Sequence, residues 1–109
     1  HCPLPPETQH MLNGQTLGQM KKGAFIINTA RGALIDLDAL EASLEAGHIG
    51  GAGRDVGPVD PPPPGSPILR LARRPNVIVT PHSAWLSHEA VTEVARITGE
   101  NVATFLAGK

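Results

Sequence analysis

Three short apolar runs constrain this chain more than anything else in it. Ala24–Phe25–Ile26–Ile27–Asn28 is continuous rather than alternating. That pattern predicts a strand buried on both faces, as in a parallel sheet. Ile49 to Val56 carries the small-residue run Gly-Gly-Ala-Gly-Arg-Asp-Val, and Asn76 to Thr80 reads Asn-Val-Ile-Val-Thr before Pro81 stops it. The intervening stretches carry helix signals. Pro6 suits the first position of a short helix opened by Pro5–Pro6–Glu7–Thr8. Asn13 reads as an N-cap, with Thr16, Leu17 and Met20 behind it, Lys21–Lys22 in a basic last turn and Gly23 as the stop. Asp36 caps a second helix with Leu37, Leu40 and Leu44 on one face, ending at Gly47. A long helix from about Ser87 carries Val91, Val94, Thr98, Val102, Phe105 and Leu106, and stops at Gly108. Six prolines between Gly57 and Pro67 exclude a helix or inner strand there and predict a semi-rigid polyproline-type surface loop. Strands alternating with helices define an α/β fold with short parallel strands, as one domain of 109 residues.

Composition removes several function classes. Lys+Arg number 9 against 10 Asp+Glu, so no basic surface argues for nucleic acid or an anionic membrane. Aromatics are 3% with no Tyr, which argues against a base-stacking platform. The longest apolar runs reach four or five residues, far short of the roughly 20 that span a bilayer. Cys2 stands alone and fits a reducing compartment, hence a cytoplasmic expectation. His1, His10, His48 and His88 show no metal-ligand spacing with each other or with Cys2, so no metal is expected. The opening His-Cys-Pro-Leu reads as the end of a strand, which leads us to expect an upstream half.

In a parallel sheet, ligands bind at loops beyond the carboxyl ends of the strands. Those loops hold Asn28–Thr29–Ala30–Arg31–Gly32, then Asp55 and Asp60, then Thr80–Pro81–His82–Ser83–Ala84–Trp85. An Arg, two Asp and a His are expected to converge on one crevice. Arg is planar and bidentate, suited to a carboxylate. His exchanges protons near neutral pH, and a carboxylate beside it fixes its tautomer and favours the imidazolium. Together they describe a site for a 2-keto or 2-hydroxy acid. Each residue also has a plain alternative: a surface Arg31, a turn histidine at His82, a solvated loop acid at Asp60, a backbone-capping Asp55 and a core-packing Trp85. Gly51-Ala52-Gly53 lies inside a strand with no helix opening after it, and better serves close helix–strand packing than a phosphate.

The segments HCPLPPET, MKKGAFIINTARGALID, LEAGHIGGAGRDV and NVIVTPHSAW resemble the D-isomer-specific 2-hydroxyacid dehydrogenase family, in order and over nearly the whole chain. The PHSAW step with its adjoining Ser-His-Glu-Ala is most similar to the branch of C-terminal-binding-protein-like dehydrogenases. The resemblance implies that Arg31 binds the substrate carboxylate, that His82 is the general acid in reduction, and that Asp60, five positions after Asp55, pairs with His82. It further implies that Asp55 contacts the nicotinamide carboxamide. Cys2, Pro3, Thr29 and Ala30, with Arg31 and His82, are implied to line the cofactor, and Trp85 to stand at the substrate pocket wall. Three departures stand out. Asp60 replaces a usual Glu and is one methylene shorter, so its bond to His82 is expected to lengthen or to need a loop shift. Pro5 replaces a usual Thr. Arg54 places a charge where the family keeps an apolar residue.

The family's glycine-rich phosphate-binding turn is not among these 109 residues and is expected upstream, with most of the substrate domain. The resemblance therefore implies that 1–109 is the C-terminal portion of a Rossmann-type NAD(P)-binding domain, a three-layer α/β/α unit. Its final helix, about 87–107, would reach toward a substrate domain. The implied reaction is hydride transfer between NAD, or NADP, and a small 2-keto or 2-hydroxy acid, by a homodimer in full-length form. Two rivals remain open: an NAD-responsive corepressor-like binding protein, and a dehydrogenase fragment without activity of its own.

Overall fold

The computed structural model describes all 109 residues, His1–Lys109. Its elements run α1 (Gly14–Gly18), β1 (Ala24–Asn28), α2 (Leu37–Glu45), β2 (Ile49–Arg54), α3 (Pro67–Leu71), β3 (Val77–Val79) and α4 (His88–Leu106). Short 3-10 turns stand at Pro6–Thr8 and Gly32–Leu34. The three strands form one parallel sheet in the order β1-β2-β3. The His1–Pro5 segment carries no strand pairing.

The caps explain most helix starts. The Asn13 side chain accepts from the backbone N–H of Gln15 and Thr16, while the Thr16 hydroxyl accepts from the Asn13 N–H, a reciprocal box that satisfies orphan donors of the first turn. Asp36 accepts from the N–H groups of Asp38 and Ala39, and Ser87 accepts from Ala90. α1 is shorter than its sequence pattern predicts. It ends at Gly18, so Lys21 and Lys22 lie in the following turn rather than in the helix, and Gly23 takes its positive φ of 84° there. The proline-rich stretch is irregular through Gly65, but its last proline opens α3 from the first helical turn, an element the proline count concealed.

One cluster forms the core. Leu17, Leu40, Ile49 and Leu71 are fully buried, joined by Ile26, Ala52 and Val77 from the inward face of the sheet. Each such leucine or isoleucine stabilises the fold by about 1.5–3 kcal/mol through burial. A bidentate Arg70–Glu41 pair, at 3.3 and 2.8 Å, ties α3 to α2 at the surface. Arg70 holds the Glu41 carboxyl below its ordinary range.

The expectation that β1 is buried on both faces is corrected here. Phe25, Ile27 and Ile78 are about 70% exposed. The reason is that α1, α2 and α3 contribute to a single cluster on one face of the sheet. The 109 residues thus form two layers, helices on one face of the sheet, where three were expected. On the open face the β2 glycines make room for side chains of β1. A Cβ on Gly51 would lie 2.7 Å from a Phe25 ring carbon, and one on Gly53 2.9 Å from Ile27 Cδ1. These glycines serve contact between neighbouring strands rather than helix–strand packing. α4 buries none of its 19 residues. No helix is long and apolar enough to cross a membrane.

Candidate functional site

The parallel register sets the carboxyl ends of all three strands on one edge, with Asn28, Arg54 and Val79 side by side as partners. Two of these are polar and buried: Asn28 is 6% exposed and Arg54 2%. Asn28 folds the first loop. Its Oδ1 accepts from the Ala30 N–H at 3.0 Å, and its Nδ2 donates to the Arg31 carbonyl at 2.9 Å. Arg31 is thereby presented to solvent, its Nη1 donating only to the Ala30 carbonyl. A cleft of about 280 Å³ is lined by His1, Cys2, Pro3, Thr29, Ala30 and Arg31. Pro5 lies outside it, at the start of the Pro6–Thr8 turn, where its carbonyl accepts from the Thr8 N–H.

The third loop is organised by Asp55. This carboxylate, 5% exposed, accepts from the Thr80 hydroxyl and the Ser83 N–H at Oδ1 and from the Ala84 N–H at Oδ2. Three contacts from residues 80–84 hold the turn in which His82 adopts a positive φ of 55°. The Thr80 hydroxyl above all, then the Ala84 and Ser83 amides and the nearby His82, hold the Asp55 carboxyl below the usual carboxylate range, against the opposing effect of burial. A depressed folded value means that the tie is present above the unfolded value of about 3.9 and is lost as pH falls through the lower folded value. We therefore expect the Asp55 side-chain carboxyl carbon to show its protonation step only below about pH 4. A protonation step of this carboxyl centred above about pH 5 would contradict the anchor.

His82 and Asp60 meet directly, Nδ1 to Oδ2 at 2.7 Å. Both side chains are about half exposed, so the pair orients the ring more than it stabilises the fold. Of the two expected outcomes, a longer bond or a loop shift, the longer bond is not found: the loop after β2 carries Asp60 within 2.7 Å of His82 despite the shorter side chain. Asp55, Asp60 and His82 line one cleft of about 340 Å³, floored by Ile68, Leu69 and Ala72 of the α3 region. Trp85 stands outside it, 60% exposed, with its indole N–H donating to the His82 carbonyl at 2.7 Å. It neither packs in the core nor lines that cleft.

The four groups expected in one crevice are thus divided between two. Arg31 belongs to the cleft of the amino-terminal segment, and the other three belong to the cleft beyond β2 and β3. The reason is strand order. β1 and β3 flank β2 and stand roughly 10 Å apart, so their loops face the same edge from opposite sides. Sequence reasoning also missed Asn28 as the residue that shapes the Arg31 loop. The available signal was its phase: Asn28 follows Ile26 by two positions, on the buried face of β1.

The donor and acceptor set fits the nicotinamide end of a dinucleotide. Asp55 Oδ2 accepts a single bond and keeps capacity for an amide N–H, while Thr29 and Arg31 offer donors across the edge. A pyrophosphate cradle is not found at Gly51–Gly53, which lies within β2.

A three-stranded parallel α/β unit with a polar carboxyl edge has the arrangement of part of a doubly wound domain, in which ligands bind at that edge. The chain belongs to the D-isomer specific 2-hydroxyacid dehydrogenase family, whose NAD binding domain matches residues 1–84. It is 50% identical over 109 residues to the glycerate dehydrogenase of Methylorubrum extorquens, covering 100% of this chain and 34% of that protein. The fold superposes with a TM-score of 0.90 on the D-lactate dehydrogenase of Aquifex aeolicus complexed with NAD and lactic acid, at 33% identity, over 99% of this chain and 36% of that one. A family member from Xanthobacter autotrophicus in complex with NADPH gives a TM-score of 0.67 at 46% identity, over 74% of this chain and 25% of that one. The chain spans about a third of the length of the curated relatives it matches. These dehydrogenase relatives do not support the C-terminal-binding-protein-like branch expected from PHSAW.

Proposed function

We propose that residues 1–109 form the carboxyl-terminal portion of the NAD(P)-binding domain of a longer dehydrogenase, which reduces a small 2-keto acid to a 2-hydroxy acid and catalyses the reverse. The observation that carries this reading is the 2.7 Å His82–Asp60 pair on the same sheet edge as Arg31. Asp60 occupies Nδ1, which leaves Nε2 to face a substrate oxygen. In reduction, His82 gives its Nε2 proton to the carbonyl oxygen, and Asp60 holds the ring and steadies its positive charge. Arg31 clamps the substrate carboxylate with two parallel N–H donors and fixes the carbonyl carbon in place. The nicotinamide, when bound, supplies the hydride to that carbon. Asp55, Thr29 and Ala30, with Cys2 and Pro3, border the space it would fill.

The same reading assigns α4 to a crossing toward a substrate domain, which its exposed Val91, Val94, Ile97, Phe105 and Leu106 support. It includes a cytoplasmic homodimer, for which the lone Cys2 and this uncovered helix speak. The test uses the whole protein and this chain side by side. The whole protein is expected to oxidise NADH or NADPH with pyruvate or glyoxylate. The 109 residues alone, without a phosphate-cradling turn, are expected to bind NADH weakly or not at all by titration calorimetry and to show no turnover. A whole protein that binds NADH yet reduces no 2-keto acid would refute the reading.

A further inference from the structure

Arg54 is the departure from the family for which the proposed reaction has no use. It ends the middle strand, where its neighbours in register are Asn28 and Val79. Its side chain runs inward and is 2% exposed, with no carboxylate against it. Nη2 donates to the Gly32 carbonyl at 3.2 Å and to the Val56 carbonyl at 3.1 Å, while Nε and Nη1 have no partner. Its own carbonyl accepts from the Thr80 N–H at 2.9 Å. One residue therefore touches the loop of Arg31, the loop of Asp60 and the loop of His82.

The first two loops are in backbone contact where the guanidinium joins them. A Cβ on Gly32 would lie 2.1 Å from the Gly57 carbonyl carbon and oxygen, so only glycine permits the approach. Burial lowers the Arg54 pKa to about 10, which leaves it charged at neutral pH. A buried charge without a counter-ion is costly, and an apolar side chain of similar volume is often no less stable. Fold stability alone does not explain this residue.

We propose that Arg54 is a positioning residue: its guanidinium staples the Gly32 carbonyl to the Val56 carbonyl and thereby sets Arg31 in register with the Asp60–His82 pair. This rests on the dehydrogenase reading for its kinetic consequence, but not for the staple. Arg54 is out of reach of substrate and acts through Arg31.

The test compares wild type, Arg54→Met and Arg54→Lys in the full-length protein with pyruvate or glyoxylate, together with amide hydrogen exchange. For Arg54→Met, the keto-acid KM should rise by about tenfold, the loss of one charge-assisted contact. The kcat and the NADH Kd should stay within about twofold, because the groups that make those contacts are untouched. Amides of Arg31–Ala33 should exchange about tenfold faster, with β1 and α2 unchanged. Arg54→Lys, which loses the fork but keeps a donor, should fall between the two. In an Arg31→Lys background, Arg54→Met should add little, because the two act on one contact. A merely structural Arg54 would instead lower melting temperature and exchange protection throughout, with no split between KM and kcat.

A folded Arg54→Met protein with wild-type KM and wild-type exchange at Arg31–Ala33 overturns the staple. If Arg54→Met does not fold, Arg54→Lys with those same wild-type values does so. A wild-type protein that reduces neither acid refutes the dehydrogenase reading alone, and the exchange comparison then still decides the staple.

Discussion

Replacing His82 by Gln is expected to lower kcat for 2-keto acid reduction by about 10²–10⁴-fold, the range for removing a positioned general acid. NADH affinity should hardly move, because Gln keeps a side chain of similar bulk where His82 is expected to line the cofactor. The amide of Gln keeps a donor and some bulk but has no group that gives up or takes on a proton near neutral pH, so the loss reports proton transfer rather than shape. A second substitution tests the pair. Asp60→Asn removes a negative charge 2.7 Å from Nδ1 and leaves the size unchanged. Its kcat for reduction should fall by about tenfold, because the ring loses the carboxylate that holds it and steadies its positive charge. Stopped-flow NADH oxidation measures both effects. A wild-type kcat in Asp60→Asn would make Asp60 a solvated loop acid.

Arg31→Lys is expected to reduce kcat/KM for the keto acid by about 10–100-fold, since one good charge-assisted contact contributes about 1.5–3 kcal/mol. Lysine keeps the charge but loses the planar fork that meets a carboxylate with two parallel bonds. Arg31 is well placed for such a loss to be specific. Apart from the bond to its neighbour's carbonyl, its guanidinium has no partner in the protein, so the substitution breaks nothing that holds the fold. NADH binding and melting temperature should be unchanged. Steady-state kinetics that survive the substitution would place the carboxylate clamp on another residue.

Arg54 and Asp55 are adjacent yet do opposite things with buried charge. The Asp55 carboxylate is surrounded by a hydroxyl and two amides, so its charge is stabilised. Arg54 has carbonyls for one nitrogen and nothing for two others, so its charge is penalised. A penalised charge kept at the junction of three loops is the observation on which the proposed staple rests.

Much of this was legible in the residues. Asn13, Asp36 and Ser87 marked helix starts, and Leu37, Leu40 and Leu44 marked a buried face, because caps and periodicity act within one or two turns of chain. The three strands were legible for the same reason. The five-residue offset from Asp55 to Asp60 correctly indicated a meeting with His82, but only through resemblance, since no local rule links positions 22 residues apart. The short α3 was hidden because a dense run of prolines reads as loop until one of them falls at a helix start.

The sequence by itself thus determined the alternation of strands and helices, their caps and the residue types on the carboxyl edge, since each depends on contacts a few residues long. Only the tertiary structure decided how those residues are shared out. Strand order separated Arg31 from His82 and split one expected crevice into two. Placement of α1 to α3 on a single face left Phe25 and Ile27 bare. Register brought Asn28, Arg54 and Val79 abreast and so gave a buried arginine three loops to join. These outcomes depend on pairings between segments some 25 residues apart, whose geometry is set by packing of the whole core and not by any stretch of chain read alone.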